Sequence, residues 1–398
     1  SYAELRAQAA AVGGGLLERG VAPGDRVALA MGSEELVVAL HGCLLIGAVA
    51  VPIDLRLHET ERALRRRGAK LTLTEPLSGP PADVREMVLS ETATIMYTSG
   101  TTAGPKEVSL SYDNWLWNAL GSALALGLDC DERWLCPMPL AHVGGLAIQL
   151  RSAIYGTAVV LHERFDAEAA LAALMDSALR VTLVSLVPTM LSRLLDAGLR
   201  DPPALRRVLL GGGPIAPALL RRAADAGVAV SPSYGMTETC SQIVTDGVPL
   251  LGAQLQIAAD GELLVRGPSV AVGALAPDGW LHTGDLGVLD AAGRLEISGR
   301  EADTIVSGGE NVSPAEVEAV LLEHPLLLDA AVLGRPDPEW GEAVTALIVL
   351  ADGQPLDADA LRAHCAAALA AFKVPKRFEQ VSALPRGATG KLVRRKLR

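Results

Sequence analysis

The chain carries at residues 97–108 the stretch Tyr97-Thr98-Ser99-Gly100-Thr101-Thr102-Ala103-Gly104-Pro105-Lys106-Glu107-Val108. It follows the apolar run Thr92–Tyr97, which predicts a buried strand. Glycines let backbone N–H groups approach an oxyanion, hydroxyls add donors, and Lys106 adds a positive charge. The spacing is not that of the G-x-x-x-x-G-K-[ST] phosphate loop, which is absent from the chain. The stretch predicts a phosphate-binding loop of another type, with a Ser/Thr/Gly surface turn as the alternative.

Length and composition narrow the class of protein. With 398 residues, of which 50% are hydrophobic and 20% charged, the chain predicts two or more domains and an ample core. The net charge of −11 argues against a nucleic-acid partner. Five scattered cysteines without C-x-x-C spacing predict reduced thiols, no zinc site and a cytoplasmic location. The most apolar stretch, Leu36–Ile53, is expected to form a helix capped by Ser33, a turn at Gly47 and a strand, with no membrane insertion.

Strand-like and helix-like runs alternate up to about residue 247. The predicted strands are Arg26–Ala30, Ala48–Ile53, Lys70–Thr74, Thr92–Tyr97, Ala158–His162, Val181–Val187, Val208–Leu210 and Val228–Ser231. The helix-like segments include Ala167–Met175, Thr189–Ala197 and Ala216–Ala226. This alternation predicts α/β sheets with ligand sites at the C-terminal ends of strands, where the loop after Tyr97 and the turn Gly211–Pro214 both lie.

Beyond residue 247 the pattern changes to short strands bounded by turns. The predicted elements are strands Glu262–Val265, Leu281–Leu289 and Arg294–Ser298, with a hairpin turn at Asp290–Gly293. From Gly299 the pattern is α+β, with helices Pro314–Glu323 and Asp357–Ala371 and strands Asp329–Leu333, Ala343–Leu350 and Phe378–Val381. We therefore predict an α/β protein. A large N-terminal domain, residues 1–300, contains βα-built sheets and a small β-barrel-like part, and a small mobile α+β domain follows at residues 301–398.

Two further segments suit a nucleotide. In Ser233–Thr239, Tyr234 can stack on a base, Thr237 can donate to a phosphate and Glu238 can hold Mg²⁺. In Trp280–Asp285 the final aspartate can bind a ribose diol, together with Arg300. Each segment alone is also compatible with an ordinary turn.

The last two segments are glycine-rich. Ser307-Gly308-Gly309-Glu310-Asn311-Val312-Ser313-Pro314 predicts a loop before a helix, with Ser313 as N-cap and Pro314 as the first helical residue. Gly387-Ala388-Thr389-Gly390-Lys391 places a lysine on a turn, which either reaches a phosphate or is a solvated tail.

These five segments, in this order, resemble the adenylate-forming superfamily of acyl- and aryl-CoA synthetases, luciferases and peptide-synthetase adenylation domains. The resemblance covers nearly the whole chain. It implies that a small-molecule carboxylate attacks the α-phosphate of ATP to give acyl-AMP, and that a thiol, usually that of coenzyme A, then takes the acyl group. ATP, Mg²⁺ and coenzyme A are therefore the expected cofactors.

The resemblance also implies roles for individual residues. Those expected around the β- and γ-phosphates are Thr98, Ser99, Gly100, Thr101, Thr102 and Lys106. Those expected around adenine are Gly211, Gly212, Gly213, Pro214, Tyr234 and Gly235. Thr237 is expected at the α-phosphate, Glu238 and Thr102 at the Mg²⁺ ion, and Asp285 and Arg300 at the ribose. Lys391 is expected to bridge the carboxylate and the α-phosphate, and the thiolation step is expected to use Ser307, Gly308 and Gly309.

Pro137–Leu146 resembles the segment that lines the acyl pocket in the superfamily. The resemblance places His142 at the entrance of that pocket; the alternative is a buried structural histidine. The glycine turn and Tyr234–Thr245 look most like those of the ligases that act on o-succinylbenzoate in menaquinone biosynthesis. Ser185, Ser241 and Gln242 are then expected to contact that dicarboxylate. The alternatives are a ligase for another aryl or short acyl acid, an enzyme that loads a carrier protein, and a weakly active nucleotide-binding scaffold; a homodimer is possible.

The chain departs from the superfamily pattern at three positions. Ala103 and Glu107 stand where its members mostly carry glycine, and Ala302 stands at the expected hinge. A carboxylate beside a triphosphate repels it, so the phosphate loop requires that Glu107 point away.

Overall fold

The computed structural model describes all residues except 99–105, 301–302, 308–309, 339, 352–353, 388–391 and 398, and the side chains of Asn311 and Arg395. The described part of the chain forms four sheets. The first contains β1 (Arg26–Leu29), β2 (Val49–Pro52), β3 (Leu71–Leu73), β4 (Thr92–Thr98) and β5 (Lys106–Ser111). Its order is β3-β1-β2-β4-β5, parallel except for the antiparallel pair β4–β5.

Three helices accompany the first sheet: α1 (Tyr2–Glu18), α2 (Ser33–Ile46) and α3 (Glu59–Arg65). The prediction that Ser33 caps α2 is wrong, because Gly32 is the N-cap and the Ser33 N–H donates to the Glu163 carboxylate at 2.9 Å. The turn at Gly47 is confirmed, since its φ of 76° is in the left-handed region that ends helices.

The second sheet forms the centre of the chain. Its strands are β6 (Arg133–Cys136), β7 (Ala158–Leu161), β8 (Leu183–Leu186), β9 (Arg207–Gly211), β10 (Val230–Met236), β11 (Ser241–Thr245) and β12 (Val248–Pro249). Its helices are α4 (Tyr112–Leu126), α5 (Val143–Tyr155), α6 (Ala167–Met175), α7 (Pro188–Asp196) and α8 (Pro217–Asp225). The order is β12-β11-β10-β9-β8-β6-β7, with β6 to β10 parallel, as the βα alternation predicts.

The third sheet is the antiparallel meander that the short strands predict. It consists of β13 (Gln254–Ile257), β14 (Glu262–Arg266), β15 (Leu281–Leu289) and β16 (Leu295–Arg300). The predicted hairpin turn is present between β15 and β16, where Gly293 N–H donates to the Asp290 carbonyl at 2.9 Å.

The fourth sheet has its own apolar core. Its strands are β17 (Ile305–Ser307), β18 (Glu310–Val312), β19 (Leu327–Asp337), β20 (Gly341–Leu350) and β21 (Arg377–Gln380), packed with α9 (Pro314–Leu321) and α10 (Ala358–Ala368). Ser313 is the N-cap of α9 and Pro314 its first residue, as predicted. The Ser313 hydroxyl makes no capping bond, however, but donates to the Ser298 carbonyl, which links α9 to β16.

All five cysteines are free thiols. Among the helices of the described segments, none has both the length and the apolar character that crossing a bilayer requires.

Candidate active site

The strands on either side of the phosphate loop, β4 and β5, contact the turn that follows the Tyr234 strand. Thr98, the last residue of β4, pairs with Lys106, the first of β5. The 3₁₀ turn Thr237–Thr239 at the end of β10 contacts both strands, and Lys106 Nζ lies 4.0 Å from Glu238 Oε1. The predicted loop residues Ser99, Gly100, Thr101 and Thr102 lie outside the described residues. The structure thus brings a lysine of the first sheet beside a carboxylate of the second.

A buried carboxylate joins the second and third sheets. Asp285 on β15 is 5% exposed and accepts hydrogen bonds from Tyr234 Oη at 2.8 Å and Arg300 Nε at 2.6 Å. Arg300 is its register partner on β16. Burial, and then the neighbouring Asp285 charge, raise the pKa of Tyr234, so the phenol stays a hydrogen donor. The predicted base-stacking and ribose residues therefore form one hydrogen-bonded group.

Two glycines beside Tyr234 are required by close backbone approach. A Cβ on Gly211 would lie 2.7 Å from the Ser233 carbonyl oxygen, and one on Gly235 would lie 1.9 Å from that of Ser241. Gly212 has a φ of 80°, which side chains other than glycine rarely adopt. Gly213 and Pro214 complete this turn, which ends β9 next to β10.

Glu107 points away from the phosphate loop. Successive side chains of a strand lie on opposite faces, so Glu107 faces away from Lys106. Its carboxylate lies 3.1 Å from Arg26 Nη1 and accepts from Tyr97 Oη at 3.0 Å. Burial and this Glu107 contact raise the pKa of Tyr97 to about 12. The carboxylate therefore does not oppose an anion held by Lys106.

Replacing Glu107 with glutamine tests this orientation. Both partners of the Arg26 pair are 35–40% exposed, and such pairs contribute about 0–1 kcal/mol. We expect the free energy of unfolding in urea to fall by less than about 1 kcal/mol and the KM for ATP to stay within about twofold of the original. A KM that falls tenfold would show that the carboxylate faces the triphosphate.

The Asp285 turn is supported by a histidine held between two carboxylates. His282 Nε2 lies 3.0 Å from Asp278 and its Nδ1 lies 2.9 Å from Glu262, which also accepts from the Gly284 N–H at 2.8 Å. The hydrogen bond to Asp278, followed by that to Glu262, raises the pKa of His282 above 6.5.

This raised pKa predicts how stability depends on pH. The stabilisation is complete below the unfolded pKa of 6.5 and is lost as pH rises through the higher folded pKa. We expect the denaturation midpoint to decline across that interval, and His282→Gln to remove this part of the decline. His162→Gln is the matched control, and an unchanged pH dependence in His282→Gln would contradict the assignment.

Ser307 belongs to the fourth sheet, and Lys391 lies further along the sequence. Ser307 ends β17, is 1% exposed, and its hydroxyl has no hydrogen-bond partner among the described residues. Gly308, Gly309 and Lys391 lie outside the described part of the chain, as does the hinge position Ala302.

His142 is the N-cap of α5, and its ring contacts the first sheet. Its Nε2 lies 3.3 Å from Asp54 Oδ2 and 3.3 Å from Arg56 Nη2. Asp54 follows β2 and is 8% exposed. Neither Asp54 nor Arg56 belongs to a motif that the sequence analysis recognises.

Arg151, which the sequence analysis also did not identify, lies close to predicted substrate contacts. It is 1% exposed on α5, and its Nε donates to Asn118 Oδ1 at 3.0 Å. Its guanidinium lies 5.8 Å from the ring of Trp134, whose Nε1 donates to Ser185 Oγ at 3.0 Å. In the described chain no carboxylate lies within ion-pair distance of Arg151. Burial lowers the pKa of this arginine.

The other predicted substrate contacts border the same cluster. The Gln242 carbonyl accepts from Asn118 Nδ2 at 2.8 Å, while its side-chain amide bonds Ser122 and Thr245 inside the protein. Ser241 begins β11 with a φ of 86°. The structure therefore links Ser185 to Arg151 through Trp134, and Gln242 to Arg151 through Asn118. Contact of Ser185, Ser241 and Gln242 with the substrate stays a prediction.

Comparison with known families accounts for this arrangement. The model of the AMP-binding enzyme family matches residues 1–88 and 64–275, and that of the AMP-binding enzyme C-terminal domain matches residues 316–391. The chain belongs to the AMP-binding enzyme family.

Individual relatives in this family are similar over the full chain. The 2-succinylbenzoate–CoA ligase of Bacillus licheniformis is 40% identical, over 100% of this chain and 94% of the relative. The o-succinylbenzoate CoA synthetase (MenE) of Bacillus subtilis, solved with the acyl-adenylate intermediate OSB-AMP, is 37% identical with a TM-score of 0.92, over 100% of this chain and 93% of that one. The same synthetase with ATP and magnesium ion gives a TM-score of 0.90 at 37% identity, over 100% and 94%.

Proposed function

We propose that the chain is an ATP-dependent acid–thiol ligase that adenylates o-succinylbenzoate and transfers the acyl group to coenzyme A. The observation that carries this proposal is that β10 and the turn after it hold Tyr234, which bonds to Asp285 beside Arg300, and Glu238, which faces Lys106. Relatives named for this activity, and similar structures that hold ATP or the acyl-adenylate, support it.

The nucleotide is held by groups from three sheets. Lys106 and residues 98–102 hold the β- and γ-phosphates, and Thr237 donates to the α-phosphate. Tyr234 and the Gly211–Pro214 turn enclose adenine, since the missing Cβ atoms leave flat backbone there. Asp285 accepts from the ribose hydroxyls while Tyr234 and Arg300 fix its orientation.

Glu238 and Thr102 are the proposed magnesium ligands. The Glu238 side chain is 15% exposed, and its carboxylate is of the kind that Mg²⁺ prefers as a ligand. Lys106, 4.0 Å away, would then shift toward the phosphates that the ion accompanies. When bound, Mg²⁺ supplies positive charge to the phosphate oxygens.

The reaction needs no protein nucleophile. A carboxylate oxygen of the substrate attacks the α-phosphorus, and the bond to pyrophosphate breaks. Lys391 stabilises the negative charge that develops there, and the remaining groups act by positioning. The thiol sulfur then attacks the acyl carbon, AMP leaves with the bonding electrons, and the Ser307–Gly309 segment lines the path of the thiol.

Arg151 supports an aromatic dicarboxylate as the substrate. A buried guanidinium without an anionic partner is costly. The second carboxylate of o-succinylbenzoate, the one that is not adenylated, would supply the missing charge. Ser185, Ser241 and Gln242 then complete the polar surroundings of that carboxylate.

Pyrophosphate release with a panel of acids tests the function. We expect release with o-succinylbenzoate, and thioester formation when coenzyme A is added. Benzoate and short acyl acids, which lack the second carboxylate, should react at least about 100-fold more slowly in kcat/KM. Thioester formed only on a carrier protein, or no release with any acid, would refute the proposal.

A domain boundary at 300/301 belongs to the same proposal, since the fourth sheet has a core separate from those of the first three. The cytoplasmic location and the homodimer stay predictions.

A further inference from the structure

The chain comes back on itself around the segment 387–391. Arg386, just before this segment, and Leu392, just after it, pair as an isolated antiparallel bridge. Lys391, the residue proposed to act in adenylation, is the last residue of the segment. Lys391 lies outside the described residues, but the residues that bound the segment on both sides are described. The position of the lysine therefore depends on how these two ends are held.

An arginine on each side of the segment binds a carboxylate of the fourth sheet or of its helix α9. On one side, Arg386 Nη2 donates to the two oxygens of Asp329 on β19 at 2.6 and 2.8 Å, and its Nε donates at 3.0 Å. On the other side, Arg394 Nη2 donates to Glu318 Oε1 on α9 at 2.6 Å. Arg394 Nη1 also donates to the Val332 carbonyl on β19 at 2.6 Å. Both ends are thus tied to α9 and β19.

The pair between Glu318 and Arg394 is buried. Glu318 is 8% exposed, and its Oε1 accepts from the Val332 N–H at 2.7 Å as well as from Arg394. Burial raises the pKa of Glu318, and the opposing effect of Arg394 is smaller. The attraction in the pair therefore does not exceed the cost of removing the carboxylate from water, so the pair contributes little to stability. What it supplies is one fixed direction for the Arg394 side chain.

Apolar packing holds the same part of the chain to the sheet without such direction. Leu392 and Leu397 pack in the apolar cluster that contains Leu333 and Leu347 of β19 and β20. Apolar contact is not directional, so it leaves the chain free to slide along the sheet. Charge-assisted hydrogen bonds of an arginine to a carboxylate have a defined geometry and fix that position.

We propose that Glu318, through Arg394, and Asp329, through Arg386, are positioning residues that set where Lys391 lies. The inference rests on the proposed function only in the role of Lys391 in adenylation. Fixing both ends of a short segment limits the positions that its side chains can reach, and charge stabilisation at a reacting centre depends on such placement. Loss of either pair is therefore expected to slow adenylation and to leave the fold intact.

Hydrogen exchange of the ligand-free full chain tests the anchoring. The Val393 N–H donates to the Pro385 carbonyl at 2.8 Å, across the base of the segment. In Glu318→Gln we expect this amide to exchange about tenfold faster, measured by mass spectrometry of peptides that contain Val393. Glu316→Gln, on the same helix at the more exposed Lys373 pair, is the matched control and should leave the amide unchanged. Unchanged exchange in Glu318→Gln would overturn the proposal.

A double-mutant cycle with Lys391→Ala separates positioning from general damage. With Lys391 present, we expect Glu318→Gln to slow acyl-adenylate formation about tenfold and to change thioester formation from supplied acyl-adenylate by less than about twofold. In the Lys391→Ala background the same substitution should change adenylation by less than about twofold, because the group that it positions is gone. An equal loss in both backgrounds would indicate a structural role and contradict the proposal.

Asp329→Asn is the second variant, and it decides the matter if Glu318→Gln does not fold. The Asp329 side chain is 22% exposed, so its substitution leaves no fully buried group unpaired. We expect the same pattern, with faster exchange at Val393 and slower adenylation only when Lys391 is present. Faster exchange in a protein that activates no acid would refute the proposed function and leave the anchoring of the segment standing.

Discussion

Replacing Lys391 with alanine should lower the rate of acyl-adenylate formation by about 100-fold or more, while thioester formation from supplied acyl-adenylate should change by less than about twofold. The reason is that Lys391 is proposed to stabilise charge that develops only while the carboxylate attacks the α-phosphate. Pyrophosphate release measures the first half-reaction, and thioester formation from synthetic acyl-adenylate measures the second.

Lys396 offers the matched control for this substitution. It is an exposed lysine in the 3₁₀ turn Arg394–Lys396, five positions further along the same segment. Lys396→Ala should leave both half-reactions unchanged. If Lys391→Ala slowed both half-reactions alike, the assigned role in adenylation would be wrong.

Replacing Arg151 with methionine should separate stability from activity. Truncating one member of a buried charge pair costs about 2–5 kcal/mol of binding, so kcat/KM for o-succinylbenzoate should fall about 100-fold or more. The stability of the fold should change little, because the substitution removes a buried charge that has no carboxylate partner in the described chain. Against this gain, Asn118 Oδ1 loses two hydrogen bonds, from Arg151 Nε and Nη2. We expect the free energy of unfolding to stay within about 1 kcal/mol of the original.

Arg206→Met is the matched control, for which we expect the opposite result: lower stability with unchanged activity. Arg206 pairs with Glu132, which is 3% exposed, so Arg206→Met leaves a buried carboxylate without its partner. That variant should be clearly less stable in urea and keep its kcat/KM. If Arg151→Met were destabilised in the same way and kept its activity, Arg151 would be a structural residue and the proposed substrate contact would be wrong.

Helices and strands whose sequence signals are local were predicted well, and those that depend on distant parts of the chain were not. Helix α6 was predicted with its observed bounds, because Asp166 caps it and apolar residues recur with helical spacing. Strand β5 was not predicted, since Lys106–Ser111 is half polar and becomes a strand by pairing with β4. Helix α1 was not predicted either. Its interior glycines disfavour a helix, yet a Cβ on Gly14 would lie 1.6 Å from the Pro80 carbonyl oxygen, so close packing requires them.

The end of β10 shows why boundaries near the site are difficult. The sequence predicts a strand that stops at Ser231, because Pro232 and Gly235 are typical of turns. The structure continues the strand to Met236, since β11 pairs with it antiparallel from the other side. Sequence spacing does not reveal that pairing.

The residues of the candidate site also fall into those that the sequence predicts and those that it does not. Contiguous glycine-rich and hydroxyl-rich motifs predicted the residues of the candidate nucleotide site, and two of these residues, Lys106 and Glu238, lie 4.0 Å apart. Asp54 and Arg151 were missed because the contacts that bring them to the site, with His142 and with Asn118, come from distant segments of the chain. One signal was present for Arg151, a single charged residue in the otherwise uncharged helix Val143–Tyr155.

The lone pairs of Asp285, the carboxylate that joins the second and third sheets, limit how many sugar hydroxyls can donate to it. Each Asp285 oxygen already accepts one protein hydrogen bond, from Tyr234 or from Arg300, and keeps one further lone pair. Two free lone pairs match the two vicinal hydroxyls of a ribonucleotide. If Asp285 binds the ribose as proposed, a deoxyribonucleotide would leave one of these lone pairs without a donor, at a cost of about 1–3 kcal/mol, so we expect ATP to bind more tightly than dATP.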